Sequence, residues 1–414
     1  MSVGGNQPSR ENVKCQSRQG VKDMTGSPFS LRAMLHIILF LSITVSALQS
    51  HAADAVGHTL FEHADGNTRF ESFKSTYSKQ YGSEAEHNKR AAAFDASLVR
   101  IARKHTDGDA TAGVTQFSDL SPAEFKKRLS FRPSGKQNIL AFDYNMKLPQ
   151  ALSSADWRTR GGITDVKNQD NCNSCWAHSA VEQIESQWQI AGHNLTTLSV
   201  QEVASCTHCY DCGGDMYNDG CTKGGDNVEG ILYAKEHGVV ANSVYPYADE
   251  KKKCNAQESN GSPVIPKGFV TGYTWATPPC KEGGQCNSQD EDTLRKYISS
   301  VAPASICVNA ENWQDYNSGI YTAKACGSHS YNSMDHCAQL VGYSNSSWIV
   351  RNSWGKKFGE EGYIRLEMGK NTCSLASYAA TATVSGIPTP SPAESHRIFN
   401  VSENFQIEIV PGIV

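Results

Sequence analysis

The 414-residue sequence predicts an α+β protein in which a helical part is followed by a sheet-rich part. After Ser174, apolar residues recur at helical spacing, at Cys175, Trp176, Ala177, Val181, Ile184 and Trp188. From Gly268 onward, short β-branched and apolar runs are separated by Gly and Asn, which is typical of strands. Because the chain exceeds the usual size of one domain, we expect two or more folding units.

The region from 61 to 129 is predicted to be helical. Five of its residues follow one another at intervals of four, four, seven and four, which places them near one helix face: Glu86, Arg90, Phe94, Ile101 and His105. Farther on, Ser121 is followed by Pro122 and Glu124. These supply a capping residue, a proline at the first helical position and an acid in the first turn, so we predict a second, short helix there.

Three strands are predicted in the sheet-rich part. They are the apolar runs Ala304–Val308, Ala338–Tyr343 and Trp348–Val350.

Charge and cysteine content limit the possible partners and compartments. The net charge of −4 gives no electrostatic reason to expect a nucleic-acid partner. The 14 cysteines favour an oxidising compartment, because disulfides persist there and not in the cytosol. We therefore expect the secretory pathway, with a lysosome, a vacuole or the outside of the cell as destination. No cofactor is expected.

Residues 1–52 contain a candidate targeting segment. The apolar run Leu35–Leu48 follows Arg32 and has the length of a signal-peptide core. Small residues near its end offer Ala47 or Ala52 as cleavage points. The alternative is an uncleaved signal anchor, because the polar stretch before the run is long; only in that case do we expect a membrane partner. Four glycosylation sequons would be usable on this route, at Asn194, Asn260, Asn345 and Asn400.

A candidate nucleophile lies in the run from Gln169 to Ala177, which reads QDNCNSCWA. A free thiol has a pKa of about 8.5, so a nucleophilic cysteine needs a helix N-terminus or an imidazolium beside it. Cys175 is expected in the first turn of a helix, where the helix dipole favours an anion. Taken alone, Cys172 and Cys175 could also form a redox pair or half of a zinc site.

Three segments together resemble the papain-like cysteine proteases, as a cathepsin L-like proenzyme. CNSCW at 172–176 resembles the family signature C-G-[SA]-C-[WY], with Asn173 in the glycine position. MDHCAQLVGY at 334–343 resembles the family's histidine strand, and WIVRNSWG at 348–355 resembles its asparagine segment. The resemblance covers roughly residues 60 to 385.

The resemblance implies a role for each residue of a catalytic site. Cys175 would attack the scissile carbonyl, and His336 would hold the thiolate and then protonate the leaving amine. Asn352 would orient the imidazole, and Trp354 would shield that bond from water. The Gln169 side-chain amide and the Cys175 backbone N–H would form the oxyanion hole.

The spacing of this triad is wider than the family's. His336 lies 336 − 175 = 161 residues beyond Cys175, and Asn352 lies 352 − 175 = 177 residues beyond it, against about 130 to 150 in the family. Two cysteine-containing insertions, Thr207–Gly220 and Thr271–Asp290, account for most of the excess.

The resemblance also implies the domain organisation. Residues 60–130 would be an inhibitory propeptide that runs through the active-site cleft in reverse, released in an acidic compartment. Residues 147–386 would be a two-domain protease with a helical left domain and a β-barrel-like right domain, and its mature chain would begin near Leu148. The tail 387–414 is expected to be a flexible extension.

By the positions of the family's landmarks, three disulfides are expected: Cys172–Cys221, Cys206–Cys254 and Cys326–Cys373. Local disulfides are expected for the insertion pairs, Cys209 with Cys212 and Cys280 with Cys286. The alternative for the first insertion is a zinc site of Cys206, His208, Cys209 and Cys212, although no metal is our expectation in an oxidising compartment.

The family alignment places five residues around the pocket for the second substrate residue before the cut: Asp226, Cys307, Met334, Cys337 and Tyr378. Tyr378 would make the pocket shallower, and Asp226 could attract a basic side chain. Cys307 and Cys337 are expected as two buried, unpaired thiols rather than a bridge. His178 replaces a family Phe; we expect a satisfied, partly buried histidine, with modulation of Cys175 titration as the alternative.

The leading functional hypothesis is a cysteine endopeptidase made as a zymogen and acting on proteins or peptides. An exopeptidase is disfavoured, because the chain lacks a short insertion with adjacent histidines like that of cathepsin B. The second hypothesis is a catalytically impaired binding or inhibitory protein, because Asn173 and His178 alter the surroundings of the nucleophile. The third is a redox or zinc protein that uses the cysteine-rich insertion.

Overall fold

The computed structural model describes residues 66–105, 110–133, 142–207, 221–249, 254–255, 262–287 and 289–385. Of residues 1–69, it therefore describes only the first four residues of one helix. The predicted signal or anchor segment, most of the first insertion with its zinc alternative, and the C-terminal extension lie outside the described residues. So do the sequons at Asn260 and Asn400, whereas Asn194 and Asn345 are described and exposed.

Within its described residues, the N-terminal region consists of three separate helices and one short strand. Its elements are the helices α1 (Gly66–Thr76), α2 (Glu84–His105) and α3 (Pro122–Lys126) and the two-residue strand β1 (Thr111–Ala112). Phe94 of α2 packs against Phe70 and Phe73 of α1, with ring centroids 5.5 and 4.9 Å apart. This aromatic contact holds the two helices together, because helical stability in proteins comes mostly from packing of this kind.

The start of α3 follows the predicted capping pattern. Ser121 Oγ accepts a hydrogen bond from the Glu124 backbone N–H at 3.2 Å, and Glu124 Oε2 accepts one from the Ser121 N–H at 3.0 Å. Pro122 occupies the first helical position. The reciprocal bonds satisfy two donors that a helix start otherwise leaves without partners.

Three helices form the helical part that precedes the sheet: α4 (Cys175–Ile190), α5 (Val200–Cys206) and α6 (Asn227–His237). The first 13 residues of α4 are all buried, so this helix is central rather than amphipathic. It contacts α5 and α6 on one side and the sheet on the other. Two further helices, α7 (Glu291–Ser300) and α8 (Ala323–Cys326), belong to the sheet-rich part.

The sheet-rich part contains nine strands among the described residues. They are β2 (Ala155–Asp156), β3 (Val270–Trp275), β4 (Ala304–Val308), β5 (Tyr316–Ser318), β6 (Ile320–Tyr321), β7 (His336–Tyr343), β8 (Ser347–Arg351), β9 (Tyr363–Glu367) and β10 (Ala379–Val384). The three predicted strands correspond to β4, β7 and β8, and the predicted α+β class is confirmed.

The sheet does not close into a barrel. Its order is β3-β10-β4-β7-β8-β9-β6, with β2 paired to β7, and β5 pairs with β1 of the N-terminal region. All pairs are antiparallel except β6 with β9. The described strands form no closed barrel, because β3 and β6, at the two ends of the order, do not pair with each other. No helix in the described ranges is long and apolar enough to cross a bilayer.

Candidate active site

Cys175 is the first residue of α4 and is completely buried. Cys172 is bonded to Cys221, which leaves Cys175 as the one free cysteine among the described residues. That bond excludes a Cys172–Cys175 redox pair in this structure. A sulfur in the first turn of a 16-residue helix lies where the helix dipole stabilises negative charge.

His336 and Asn352 come from neighbouring antiparallel strands. His336 begins β7, and Asn352 follows the last residue of β8, so the β7–β8 pairing brings them together. His336 Nε2 lies 2.9 Å from Asn352 Oδ1, and both side chains are buried. Because the amide oxygen accepts, Nε2 is assigned the proton and Nδ1 the lone pair. Nδ1 is buried and has no hydrogen-bond partner among the described residues.

Trp354, the residue predicted to shield the His336–Asn352 bond, packs against the His336 ring. Its ring centroid lies 4.7 Å from that of His336, and the indole is buried. Asn352 Oδ1 also accepts the Ser353 N–H at 2.8 Å, which fixes the amide orientation. A dry, oriented hydrogen bond of this kind holds the imidazole in one rotamer and one tautomer.

Burial keeps the thiol and the imidazole neutral in this form of the protein. It raises the pKa of Cys175, and it lowers the pKa of His336 to about 4, with partial compensation from the Asn352 hydrogen bond. Both pKa shifts oppose proton transfer from the Cys175 thiol to the His336 imidazole. They favour a neutral thiol and a neutral imidazole over an ion pair in the described state.

Gln169 is fixed beside the nucleophile by contacts to both ends of its side chain. Ser353 Oγ donates to Gln169 Oε1 at 2.7 Å, and Gln169 Nε2 donates to the Cys172 carbonyl at 3.0 Å. The Gln169 backbone N–H is bonded to the Ser353 carbonyl at 2.8 Å. The Gln169 side-chain amide is therefore held on the loop that precedes α4, where the family resemblance predicts a donor of the oxyanion hole.

A second network supports the same loop and includes His178. Tyr247 O–H donates to the Gln169 carbonyl at 2.9 Å and lies 2.8 Å from Ser174 Oγ. His178 Nδ1 lies 3.0 Å from the Ser174 carbonyl oxygen and 3.3 Å from its Oγ. Since a carbonyl only accepts, Nδ1 carries the proton. Burial lowers the pKa of His178 to about 3, and the histidine is buried rather than partly buried as expected.

The propeptide chain passes directly over the nucleophile. Ser130 Oγ donates to the Asn173 carbonyl at 2.9 Å and lies 3.5 Å from Cys175 Sγ. Either the serine hydroxyl or the thiol can donate in the contact with sulfur. Gly224 permits this close passage, since a Cβ there would lie 1.8 Å from the Ser130 carbonyl oxygen.

Backbone hydrogen bonds hold the propeptide on both walls of the cleft. The Gly225 N–H donates to the Ser130 carbonyl at 3.2 Å, and the Arg132 N–H donates to the Gly225 carbonyl at 3.0 Å. The Phe131 N–H donates to the Asp335 carbonyl at 2.8 Å on the opposite wall. Phe131 pairs with Gly225 as a parallel bridge, so the segment binds like an added strand.

The Phe131 side chain packs beside residues that the sequence predicted around the substrate pocket. It is 5% exposed and belongs to one apolar cluster with Met334, Tyr378 and the two cysteines of the pocket wall. Its ring packs edge-on against Tyr378, with centroids 5.1 Å apart. Ser130 and Phe131 were not among the site residues predicted from the sequence. The pattern that could have indicated them is a pair of aromatic residues, Phe131 and Phe142, between the short helix and the predicted start of the mature chain.

The expected pair of free thiols in the pocket wall is wrong. Cys307 and Cys337 form a disulfide. The β4–β7 register sets the two residues directly opposite each other, with Cα atoms 4.0 Å apart, which is within reach of a bridge. The bond joins the residue that follows His336 to the neighbouring strand.

Four other disulfides lie among the described residues. Three join Cys172 with Cys221, Cys206 with Cys254, and Cys326 with Cys373, and one closes the second insertion between Cys280 and Cys286. Cys206 is thereby unavailable to the zinc site considered from sequence. No group of three or more potential metal ligands occurs in the described part of the chain.

Asn173, in the glycine position of the family signature, has its side chain bonded to two backbone carbonyls. Its Nδ2 donates to the Thr222 carbonyl at 3.1 Å and to the Lys127 carbonyl of the propeptide at 3.3 Å. The side chain thus lies on the rim of the cleft and contacts the chain that occupies it.

Comparison with known proteins agrees with this arrangement. The family model "Papain family cysteine protease" matches residues 151–383, and "Cathepsin propeptide inhibitor domain (I29)" matches residues 70–125. A cysteine proteinase of Trypanosoma brucei brucei is 33% identical over 354 residues, which cover 83% of this chain and 73% of the relative. Cysteine proteinase A of Leishmania mexicana is 30% identical over 388 residues, 87% of this chain and 96% of the relative.

Solved structures of proenzymes are similar as well. Digestive procathepsin L 3 of Tenebrio molitor larval midgut aligns with a TM-score of 0.65 and 25% identity, over 78% of this chain and 100% of that one. A recombinant stem bromelain precursor aligns with a TM-score of 0.60 and 26% identity, over the same shares. The chain therefore belongs to the papain family of cysteine proteases and carries the inhibitory propeptide of a zymogen.

Proposed function

We propose that the processed protein is an endopeptidase in which Cys175, His336 and Asn352 act as a catalytic triad. The observation that carries this proposal is the 2.9 Å bond from His336 Nε2 to Asn352 Oδ1, which leaves a buried Nδ1 with a lone pair and no described partner. The buried free thiol at the start of α4 supplies the nucleophile.

The chemistry starts with proton transfer from Cys175 to His336 Nδ1. The thiolate attacks the scissile carbonyl carbon, and the Gln169 amide and Cys175 N–H stabilise the resulting oxyanion. As the C–N bond breaks, His336 returns its proton to the leaving amine. Water, deprotonated by His336, then hydrolyses the thioester and regenerates the thiol.

Release of the propeptide is the step that makes this chemistry possible. While Ser130 and Phe131 occupy the cleft, burial holds Cys175 and His336 neutral and a substrate has no place to bind. Removal of the segment admits water, which lowers the cost of charge separation and favours the thiolate–imidazolium pair. The zymogen is thus blocked both sterically and electrostatically.

The test combines an epoxide-type thiol alkylator with an internally quenched peptide whose two ends are blocked. We expect the acid-processed protein to cleave the peptide internally and to lose this activity as the label appears on Cys175. Cys175→Ala should show neither event. Asn352→Ala, which keeps the thiol, should still be labelled but should turn over about 100-fold more slowly.

Other outcomes identify the competing functions. Labelling of Cys175 without hydrolysis of any peptide would support a catalytically impaired binding protein. Activity that depends on a chelatable metal would contradict the triad.

We further propose that the protein acts in a lysosome-like compartment or outside the cell, with proteins or peptides as substrates. The five disulfides of the described residues support an oxidising route. Mass analysis of the secreted and the organelle-bound protein, with and without glycosidase, would test the route, the usage of Asn194 and Asn345, and the alternative of a retained membrane anchor.

A further inference from the structure

Arg128 of the propeptide binds a loop next to the nucleophile. Its Nη1 donates to the Asp170 carbonyl at 3.2 Å, and its Nη2 donates to Asn171 Oδ1 at 2.9 Å. Both acceptors lie between Gln169 and Cys172, on the loop that precedes α4. The guanidinium therefore bonds two neighbouring residues with two of its donors, a forked contact that suits arginine better than lysine.

Two carboxylates make the surroundings of this guanidinium negative. Asp170 and Asp249 are both exposed. Asn171 Nδ2 donates to Asp249 Oδ2 at 3.2 Å, which turns Asn171 Oδ1 toward Arg128. Partial desolvation and the Asp249 charge raise the pKa of Asp170, whereas the Asn168 hydrogen bond and the Arg128 charge lower it. Without Arg128, the loop would present two negative charges close together.

Contacts within the protease hold this loop. The bond between Cys172 and Cys221 fixes one end, and the Tyr247 O–H donates to the Gln169 carbonyl at the other end, at 2.9 Å. Neither contact involves the propeptide. We therefore expect the acceptors of Arg128 to stay in place when the propeptide is released.

The loop lies on the leaving-group side of the nucleophile. Ser130 Oγ lies 3.5 Å from Cys175 Sγ. Phe131 packs beside the residues predicted around the pocket for the substrate residue second before the cut. Because Arg128 precedes Ser130 and Phe131 follows it, the two side chains lie on opposite sides of the sulfur along the cleft. A substrate places on the Arg128 side the residues that follow the cut.

Another carboxylate near the nucleophile is already engaged. Asp226, which was expected to attract a basic side chain, is 1% exposed. Its Oδ1 accepts the Val228 backbone N–H at 3.0 Å, and its Oδ2 accepts the Tyr378 O–H at 2.7 Å. Asp170 differs, because it is exposed and because no donor among the described residues bonds its Oδ2.

We propose that the loop at Asp170 and Asn171 is a binding site for a basic side chain, above all arginine, carried by one of the first three substrate residues after the cut. In the zymogen, Arg128 occupies this site. The inference rests on the proposed function, because it assigns part of the substrate to the same cleft. Exposed ion pairs contribute modestly, so a gain of about fivefold in kcat/KM is expected for arginine over a neutral residue of similar shape.

The test uses an internally quenched peptide whose cleaved bond is first located by mass analysis. Arginine, or citrulline as its neutral counterpart of similar shape, then replaces the first, second or third residue after that bond. The Arg:citrulline ratio of kcat/KM should reach about five at one of these positions. It should fall toward one as the salt concentration rises from about 50 mM to about 500 mM, because salt screens an exposed charge pair. A ratio near one at all three positions in low salt would overturn the proposal.

Single-charge variants locate the site. Asp170→Asn is isosteric, and asparagine also tolerates the left-handed backbone of this residue, whose φ is 47°. The Arg:citrulline ratio should fall to less than about half of the wild-type ratio. Asp249→Asn keeps an acceptor for Asn171 and should lower the ratio as well. Asp292→Asn, on α7 with a side chain that is 55% exposed, removes a charge elsewhere and should leave the ratio unchanged. A wild-type ratio in both Asp170→Asn and Asp249→Asn would overturn the proposal.

This proposal and the catalytic proposal fail in different ways. Alkylator titration of Cys175 first gives the concentration of competent sites for each variant. If the peptides are cleaved with an Arg:citrulline ratio near one, the catalytic proposal stands and the basic site is wrong. If no peptide is cleaved, the catalytic proposal is wrong, and fluorescence anisotropy of the same peptides on the processed protein decides about the site. Tighter binding of the Arg peptide would then support it, and equal binding would overturn it.

Discussion

Ser130 Oγ lies 3.5 Å from Cys175 Sγ, so the thiol of the zymogen contacts its own propeptide. Burial raises the pKa of Cys175, with partial compensation from the contacts to Ser130, and so favours the thiol over the thiolate. We predict that iodoacetamide alkylates Cys175 in the zymogen at least about 100-fold more slowly than in the processed protein at the same pH, because only the thiolate reacts. Peptide mapping of the labelled site gives both rates.

A matched variant separates steric from electrostatic protection of that thiol. Phe131→Ala vacates the pocket but leaves Ser130 in place. The labelling rate of this variant zymogen should therefore lie between the rate of the wild-type zymogen and the rate of the processed protein. Equal rates for the wild-type zymogen and the processed protein would contradict the block.

Arg100 anchors α2 of the propeptide on the protease. It forms two bonds of 2.7 Å to Asp315, whose side chain has no exposure, and Lys104 adds a contact at 3.1 Å. Removing one partner of a buried ion pair destabilises the folded state, because the other charge stays buried with too few partners. We expect Arg100→Ala to destabilise the docked propeptide by about 2–3 kcal/mol.

Lys126→Ala is the control for that variant. Lys126 pairs with Glu311 at 2.9 Å, but the two side chains are 59% and 47% exposed, so the pair is worth about 0.5 kcal/mol. Both substitutions belong in a Cys175→Ala background, which removes self-processing. The measurement is the rate at which an added protease digests the propeptide. If both variants accelerate this digestion equally, the Arg100–Asp315 pair does not stabilise the docked propeptide more than an exposed ion pair does.

Two buried carboxyl groups contribute stability that is lost as the pH rises. Burial raises the pKa of Glu202 and of Asp335 to about 7 each. The native state therefore keeps protons that the unfolded chain, with carboxyl pKa values of about 4, has released. This contribution is fully present below pH 4 and is lost as the pH rises to 7. The buried His178 and His336, whose pKa values are lowered to about 3 and about 4, oppose it in the same interval, so a single-residue variant is needed to isolate the carboxyl contribution.

Glu202→Gln isolates the contribution of one carboxyl group. The amide cannot ionise, so the difference Tm(pH 7.5) minus Tm(pH 5) should be more positive in Glu202→Gln than in the wild type. Glu236→Gln, at a side chain that is 58% exposed, should leave this difference as it is. A Glu202→Gln protein with the same pH dependence of Tm as the wild type would contradict the assignment.

His178 is predicted not to shape the pH dependence of activity. Since burial lowers its pKa to about 3, it is neutral throughout the working range. His178→Phe preserves the ring contact with Tyr247, whose centroid lies 4.9 Å away, and removes only the hydrogen bonds to Ser174. We expect the limbs of the kcat/KM profile to stay within about 0.2 pH unit of the wild type. A larger displacement would restore the alternative that His178 tunes Cys175.

Local patterns in the sequence were sufficient for the elements that carry the site. The Ser121 capping pattern and the β-branched run at Ala304–Val308 predict their helix and strand because short-range physics decides both. The family and its α+β fold are confirmed. The roles of Cys175, His336 and Asn352 remain predictions, although the fold brings the last two into hydrogen-bond contact.

Features that depend on strand register were beyond the sequence. Cys307 and Cys337 are 30 residues apart and become opposite only through the pairing of β4 with β7. Likewise, Asp226 was interpreted as available to substrate because its partner Tyr378 lies 152 positions farther along the chain. Long-range contacts of this kind follow from the packed sheet rather than from any local pattern.

The Cys307–Cys337 bridge has a consequence for how this protease is handled. Thiol buffers are added to keep a catalytic cysteine reduced, yet the same reagent can attack a disulfide by exchange. Here the second target is the residue that directly follows His336 in the chain, in the wall that contacts Phe131. Turnover recorded at different concentrations of reductant can therefore come from two covalent forms of one enzyme, and the state of this bridge must be assayed alongside the rate.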